Sequence, residues 1–175
     1  MKQSAKWDTP ALGALALVLA VLIGVFGIGA AKLRGAVKAP ATYYSENIKA
    51  DMDKRIADAD TLVKQGQQVL DKNEATLTSA EDALAAIQKA KTPGAIFEAN
   101  TSLTVSIGQL YEMLRQNVNS DKGSVLQDTW SDFLSREYII ELNYLSEYNA
   151  LADKAQAKLD KFPASLIAKL AGVRV

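Results

Sequence analysis

The sequence predicts an all-α protein, an N-terminal transmembrane helix followed by an elongated antiparallel three- or four-helix bundle, on three observations. Residues 11–31 run without a charge. Apolar residues then recur every three and four positions through three long segments, the spacing that places side chains on one face of a helix. No segment alternates polar and apolar residues between turn signals, as a half-buried strand would. Short polar turns between long helices make neighbours antiparallel, because a short loop cannot return the chain to a parallel start.

Composition narrows the functions. The 175 residues suffice for one domain and an anchor, and 20 basic residues against 20 acidic ones leave no net charge to draw the chain to nucleic acid. Cysteine and histidine are both absent, which removes disulfides, thiol nucleophiles, imidazole catalysis and nearly every transition-metal site. Carboxylate, serine and tyrosine chemistry remains, and no P-loop, dinucleotide-binding glycine pattern, Gly-x-Ser-x-Gly or kinase motif organises it. The expectation is a non-enzymatic protein with no cofactor, no metal and no catalytic residue.

After a short polar N-terminus, 1–10, the uncharged run 11–31 covers about 31 Å as a helix, close to the hydrocarbon thickness of a bilayer. Trp7 suits one headgroup layer, and Lys32, Arg34 and Lys38 suit the other. Two other readings stay open. One is a cleaved signal peptide, although its apolar core is normally shorter; the other is a buried soluble helix. The flanking charges nearly balance and give orientation little leverage. Residues 32–41 read as a linker, with Pro40 near its end.

The bundle is expected over 42–162, as segments of about 42–90, 93–118 and 124–162. In the first, Ile48, Met52, Ile56, Ala59, Leu62, Val63, Gly66, Val69, Leu70, Leu77, Ala80, Leu84 and Ile87 form a seam that is one helix or two. Gly66 and the polar residues around Asn73 favour a kink or break near 71–73. Thr92, Pro93 and Gly94 then make a turn in which Thr92 can cap the next helix and Pro93 suits its first position. The second seam is Ile96, Leu103, Ile107, Leu110, Leu114 and Val118, followed by a polar connection over 117–123. Ser124 with Gln127 has the form of a capping box and opens the last helix.

That last helix holds most of the large side chains outside the N-terminus. Its seam is Leu126, Trp130, Phe133, Glu137, Ile140, Tyr144, Tyr148, Leu151, Ala155, Leu159 and Phe162. Glu137 is the one member wrong for a plain core, since a carboxylate there must find a partner or reach water. Bonding to Arg55, Arg115 or Tyr111 would make it a register-setting group. The functional alternative is a partner or ligand contact in the groove, joined by Asn143, Tyr144, Tyr148 and Asn149. The paired acids Asp51/Asp53, Asp58/Asp60 and Glu81/Asp82 share their helix with Lys49, Lys54, Arg55, Lys64 and Lys89 and read as a solvated charged face. In the tail, 163–175, Leu166, Ile167, Leu170 and Val173 fall on one side of a short amphipathic helix. It either folds over the bundle end or touches the membrane or a neighbouring subunit through Lys169 and Arg174.

Several stretches together carry a family likeness: KLRGAV after the span, TLTSAEDALAAIQKA, EANTSLTVSIGQL, Glu137, Tyr148–Asn149 in SEYNALADK, and the close Phe162-Pro163-Ala-Ser-Leu166-Ile167-Ala. In these the chain resembles the LemA family of bacterial membrane proteins, over nearly its whole length and most strongly from Asn73 onward. It departs from the family pattern in reading DKRIADADTLVKQG where an Arg-Arg-x-x-Leu-Ile-Pro-Asn run is usual, and NVNSDKGSV in place of a proline-containing connection. The resemblance implies a single-pass, membrane-anchored helical bundle lying outside the cytoplasm, and no catalytic activity. The partners expected are the lipid bilayer, other membrane or envelope proteins, and further copies of the chain in a homo-oligomer. Three roles follow: a scaffold organising an envelope complex, a membrane-remodelling or oligomeric assembly working through the tail, or a ligand-sensing bundle.

Overall fold

The structure is a computed structural model that describes residues 29–117, 120–161, 164, 165 and 169. Residues 11–28 of the expected span lie outside this set, as do Val118, Phe162, Pro163, Leu166 and Ile167. Among the described residues every regular element is helical, with no strand, and no helix is long and apolar enough to cross a membrane.

The elements are α1 (Gly29–Tyr43), a π-helical turn π1 (Tyr44–Ile48), α2 (Lys49–Val69), α3 (Ala75–Lys89), α4 (Pro93–Asn117), α5 (Ser120–Ile140), a second π turn π2 (Glu141–Leu145) and α6 (Ser146–Leu159). They fall into two compact units, one being Pro40–Leu151 and the other joining the chain before it to the chain after it. In the latter, Leu33 of α1 and Ala155 and Leu159 of α6 are buried.

Within Pro40–Leu151, α2, α3, α4 and α5 pack as an antiparallel four-helix bundle. The short turns 70–74 and 90–92 reverse the chain between α2, α3 and α4, and along α4/α5 Thr104 meets Glu137 while Tyr111 meets Trp130, so these helices also run oppositely. The α2 helix packs on α3, α4 and most extensively on α5.

The break between α2 and α3 is where the polar stretch placed it, and it makes four helices of the expected three or four. Asp71 Oδ1 accepts from the Asn73 N–H at 2.9 Å, a side-chain turn that competes with helix, and Glu74 caps α3 by accepting from the Thr76 N–H at 3.5 Å. At the next turn Thr92 Oγ1 accepts from the Ala95 N–H at 3.3 Å, and Pro93 occupies the first helical position, where its missing N–H is no loss.

Two boundaries differ from the sequence expectation. Residues 32–41, expected as a linker, are helical, and Pro40 lies inside α1, although the unit that holds the bundle begins at that residue. Proline removes one ladder bond and crowds the preceding turn, and π1 begins four residues later. The fifth helix begins at Ser120, one turn ahead of Ser124, so Ser124 and Gln127 lie within the helix and form no capping box. Ser and Asp are favoured in a first helical turn, and Gly123 costs only about 1 kcal/mol as an interior residue, which weakens a helix without stopping it.

The core repeats the predicted seams closely. Ile48, Met52, Ala59, Leu62 and Val63 are buried on the first long segment, Leu77, Ala80, Leu84 and Ile87 on α3, Leu103, Ile107, Leu110 and Leu114 on α4, and Leu126, Phe133, Ile140 and Tyr148 on the last. Val69, expected in the seam, is exposed at the end of α2. Gly66 is buried because α2 meets two neighbours there: a Cβ on it would stand 2.9 Å from Leu77 Cδ1 and 3.2 Å from Leu110 Cδ1.

Candidate functional site

The chemically distinctive place in the bundle is a fully buried arginine. Arg55 has 0% exposure and follows Met52 by three and precedes Ala59 by four, so it occupies a seam position of α2. An isolated guanidinium there would be prohibitively desolvated, and its neighbours supply acceptors on three sides. Its Nε donates to Asn100 Oδ1 at 2.9 Å, Nη2 donates to Thr104 Oγ1 at 2.7 Å and pairs with Glu137 Oε2 at 3.1 Å, and Nη1 donates to the Phe133 carbonyl. The guanidinium carbon also lies 3.7 Å from the centre of the Phe133 ring. Thr104 Oγ1 stands 2.9 Å from both Glu137 Oε1 and the Asn100 carbonyl, two acceptors for its single proton. Burial pulls the Arg55 guanidinium below its ordinary value, and Glu137 acts against that shift.

Next to it is a second, reversed pair. Arg136 on α5 reaches Asp51 on α2, Nη1 to Oδ1 at 3.3 Å, while its Nε faces Asp58 Oδ2 at 3.9 Å. Those last two atoms are buried and have no hydrogen-bond partner. Burial pushes the Asp58 carboxyl up, Arg136 opposes this, and Asp132 adds to it.

Aromatic rings frame the network. Tyr111 stacks on Trp130 at 4.7 Å and 12°, and Trp130 on Phe133 at 5.5 Å and 21°, forming a stack that ends on Arg55. Towards the π turns, Tyr44, Phe97 and Tyr148 form a second cluster, with ring centres 5.0 to 6.4 Å apart. Burial pushes the Tyr44 hydroxyl up to about 12, and the Tyr148 hydroxyl moves the same way. Beside this cluster, Ala41, Tyr44, Ile56, Ile87, Pro93 and Ile96 line a half-open groove of about 570 Å³, with Lys49, Asp53 and Lys91 at its edge.

Of the partners considered for Glu137, the ion pair forms with Arg55; Arg115 pairs instead with Glu112, at 2.9 Å. The Glu137 side chain is 22% exposed, so it sits at the network's outer side. Tyr148 is buried and Tyr144 half-buried, whereas Asn143 and Asn149 are exposed and take no part in the network. Phe162, Pro163, Leu166 and Ile167 lie outside the described residues.

Sequence reasoning counted Arg55 among the charges of the solvated face and also as a partner for Glu137; the structure puts it in the core, paired with Glu137. Its spacing from Met52 and Ala59 was the available signal, masked because arginine is rarely a seam residue. Asp51 and Asp58 also leave that face for Arg136, while Asp53 and Asp60 stay on it, paired with Lys49 and Lys64. Asn100 and Thr104 carried no such signal; polar residues on a helix become legible as core only once a buried charge needs them.

No family model, curated protein or solved structure matches the chain. Among the described residues no group of three or more carboxylates is placed to hold a metal ion.

Proposed function

We propose that the chain is a non-enzymatic, membrane-anchored scaffold, similar to LemA proteins, whose helical bundle organises a membrane or envelope complex outside the cytoplasm. The observation that carries this reading is how the bundle's strongest polar groups are used. Arg55 is turned wholly inward onto Asn100, Thr104, Phe133 and Glu137, an arrangement that fixes helices and offers a solute no reactive atom. The uncharged run at 11–31 supports a single-pass anchor, and the stretches that resemble the LemA family support the assignment of class.

Membrane attachment is tested by fractionating cells that express the full chain. It should sediment with membranes, resist alkaline carbonate and dissolve in detergent, and removing residues 1–31 should release it. A full chain found in the soluble fraction would contradict the anchor. Crosslinking in intact membranes followed by identification should recover the same membrane or envelope proteins repeatedly; recovery of none would count against a scaffold.

The groove beside Tyr44 and Ile87 favours a second reading, a ligand-sensing bundle. A compound that prefers the folded state must raise its melting temperature, so a thermal-shift screen of the full chain in detergent with no stabilising compound would remove it.

A further inference from the structure

The groove beside Tyr44 has the size of a small-molecule site: about 570 Å³, within the roughly 300–1,000 Å³ that such sites occupy. Three parts of the bundle make it: π1 with the start of α2, the end of α3, and the turn into α4. Its wall is apolar. Ile87 is buried, while Ile56 of α2 and Ile96 of α4 are only half-buried and line the groove with the rest of their surface.

The polar groups at the groove differ in what they have left to offer. Lys49 pairs with Asp53 one helical turn away, so the single carboxylate at the groove is already neutralised. Lys91, between α3 and α4, is exposed and forms no ion pair among the described residues. Tyr44 is 6% exposed, and burial holds its hydroxyl protonated far above neutral pH, with Asp53 and Tyr148 adding to the effect. Asp53 accepts from Lys49 and not from Tyr44, whose hydroxyl makes no hydrogen bond among the described residues.

An ammonium and a hydroxyl are therefore uncommitted beside an apolar wall, and both can donate. That set suits an acceptor with negative charge joined to an apolar body. One free ammonium balances a carboxylate, whereas a phosphate monoester carries about −1.5 to −2 at neutral pH. We propose that this groove binds a small amphiphile with an alkyl or aryl body and a single carboxylate, the charge held by Lys91 and the body laid against Ile56, Ile87 and Ile96. The inference rests on the ligand-sensing reading of the groove and adds the class of ligand.

The absence of cysteine gives a clean background for a labelling test. Gln88 is exposed at the groove, so the full-length Gln88→Cys chain is held in phosphatidylcholine nanodiscs, free of competing detergent, and labelled with a maleimide. Octanoate should slow the labelling several-fold, and octanol and octyltrimethylammonium should do so far less. Thr61→Cys, on exposed α2 surface, should label at one rate with or without octanoate. Adding Lys91→Glu to Gln88→Cys should abolish the protection by octanoate. Adding Lys72→Glu, at the other end of α3, should preserve it, with the helical circular dichroism unchanged in both. No protection by octanoate, or protection that survives Lys91→Glu, would overturn the proposal. Protection by octanol or the cation as strong as by octanoate would overturn the carboxylate class and leave the ligand-sensing reading standing. That reading falls separately, on a thermal-shift screen with no stabilising compound.

Discussion

Arg55 of α2 meets Glu137 of α5 at 3.1 Å, and the next residue on α5, Arg136, reaches back to Asp51 of α2 at 3.3 Å. Each helix therefore supplies a base to the other's acid. Sliding α5 by one turn along α2 would separate both pairs at once and leave Arg55 buried without its carboxylate, so the two contacts specify one register out of several that the apolar seams alone would accept. The Phe133 carbonyl strengthens this choice, because it accepts from Arg55 while Phe133's ring lies against the same guanidinium.

The contact at Gly66 predicts an inverted response to alanine. Alanine ordinarily stabilises a helix interior by about 1 kcal/mol over glycine. At Gly66 the added methyl would press on Leu77 and Leu110, both buried, and overpacking costs of about 1–3 kcal/mol apply. Gly66→Ala should lower the denaturation midpoint, whereas Gly123→Ala, where nothing lies within 4 Å, should raise it. Equal shifts in the two variants would show that α2 is not tightly apposed to α3 and α4.

The two acids facing Arg136 should behave oppositely. Burial raises the Asp58 carboxyl above its ordinary value of 3.8, so keeping it charged costs stability, a cost that is absent at low pH and develops as pH rises through the raised value. Asp58→Asn should therefore stabilise the fold at pH 7, with the gain vanishing in acid. Asp51→Asn removes the closer partner of Arg136 and should destabilise at pH 7. Equilibrium unfolding of both variants at pH 3 and pH 7 checks the signs; a destabilising Asp58→Asn would show that its attraction to Arg136 outweighs its burial.

Tyr44 predicts an alkaline limit. Its hydroxyl is raised from 10 to about 12 by burial, so the neutral form is favoured in the fold, and the associated stability is full below pH 10 and lost as pH climbs through 12. Tyr44→Phe should flatten the fall of stability between these values. A variant whose alkaline profile runs parallel to that of the natural chain would show that Tyr44 ionises freely.

Helices and core were legible because their signal is periodic and repeated: Leu103, Ile107, Leu110 and Leu114 recur at helical spacing and are all buried. The cap at Thr92–Pro93 was legible because its residues act locally. Arg55 was legible as one of three partners for Glu137, but its full burial was not, since burying a guanidinium becomes favourable only when Asn100, Thr104, Phe133 and Glu137 arrive together from two other helices. The start of α5 at Ser120 was missed for a similar reason. Gly123 and the polar residues beside it suit a turn locally, yet the helix runs through them.

The direct test of the central claim, that Arg55 and Glu137 hold the bundle together structurally, is a double-mutant cycle on chemical unfolding of the full chain in detergent. Arg55→Met and Glu137→Leu should each cost about 3–5 kcal/mol, because each strands its partner, and the double variant should recover most of that loss. Additive losses would contradict a coupled pair. A Glu137→Leu chain that unfolds like the natural one, yet no longer crosslinks to its membrane partners, would make Glu137 a binding residue and contradict the account.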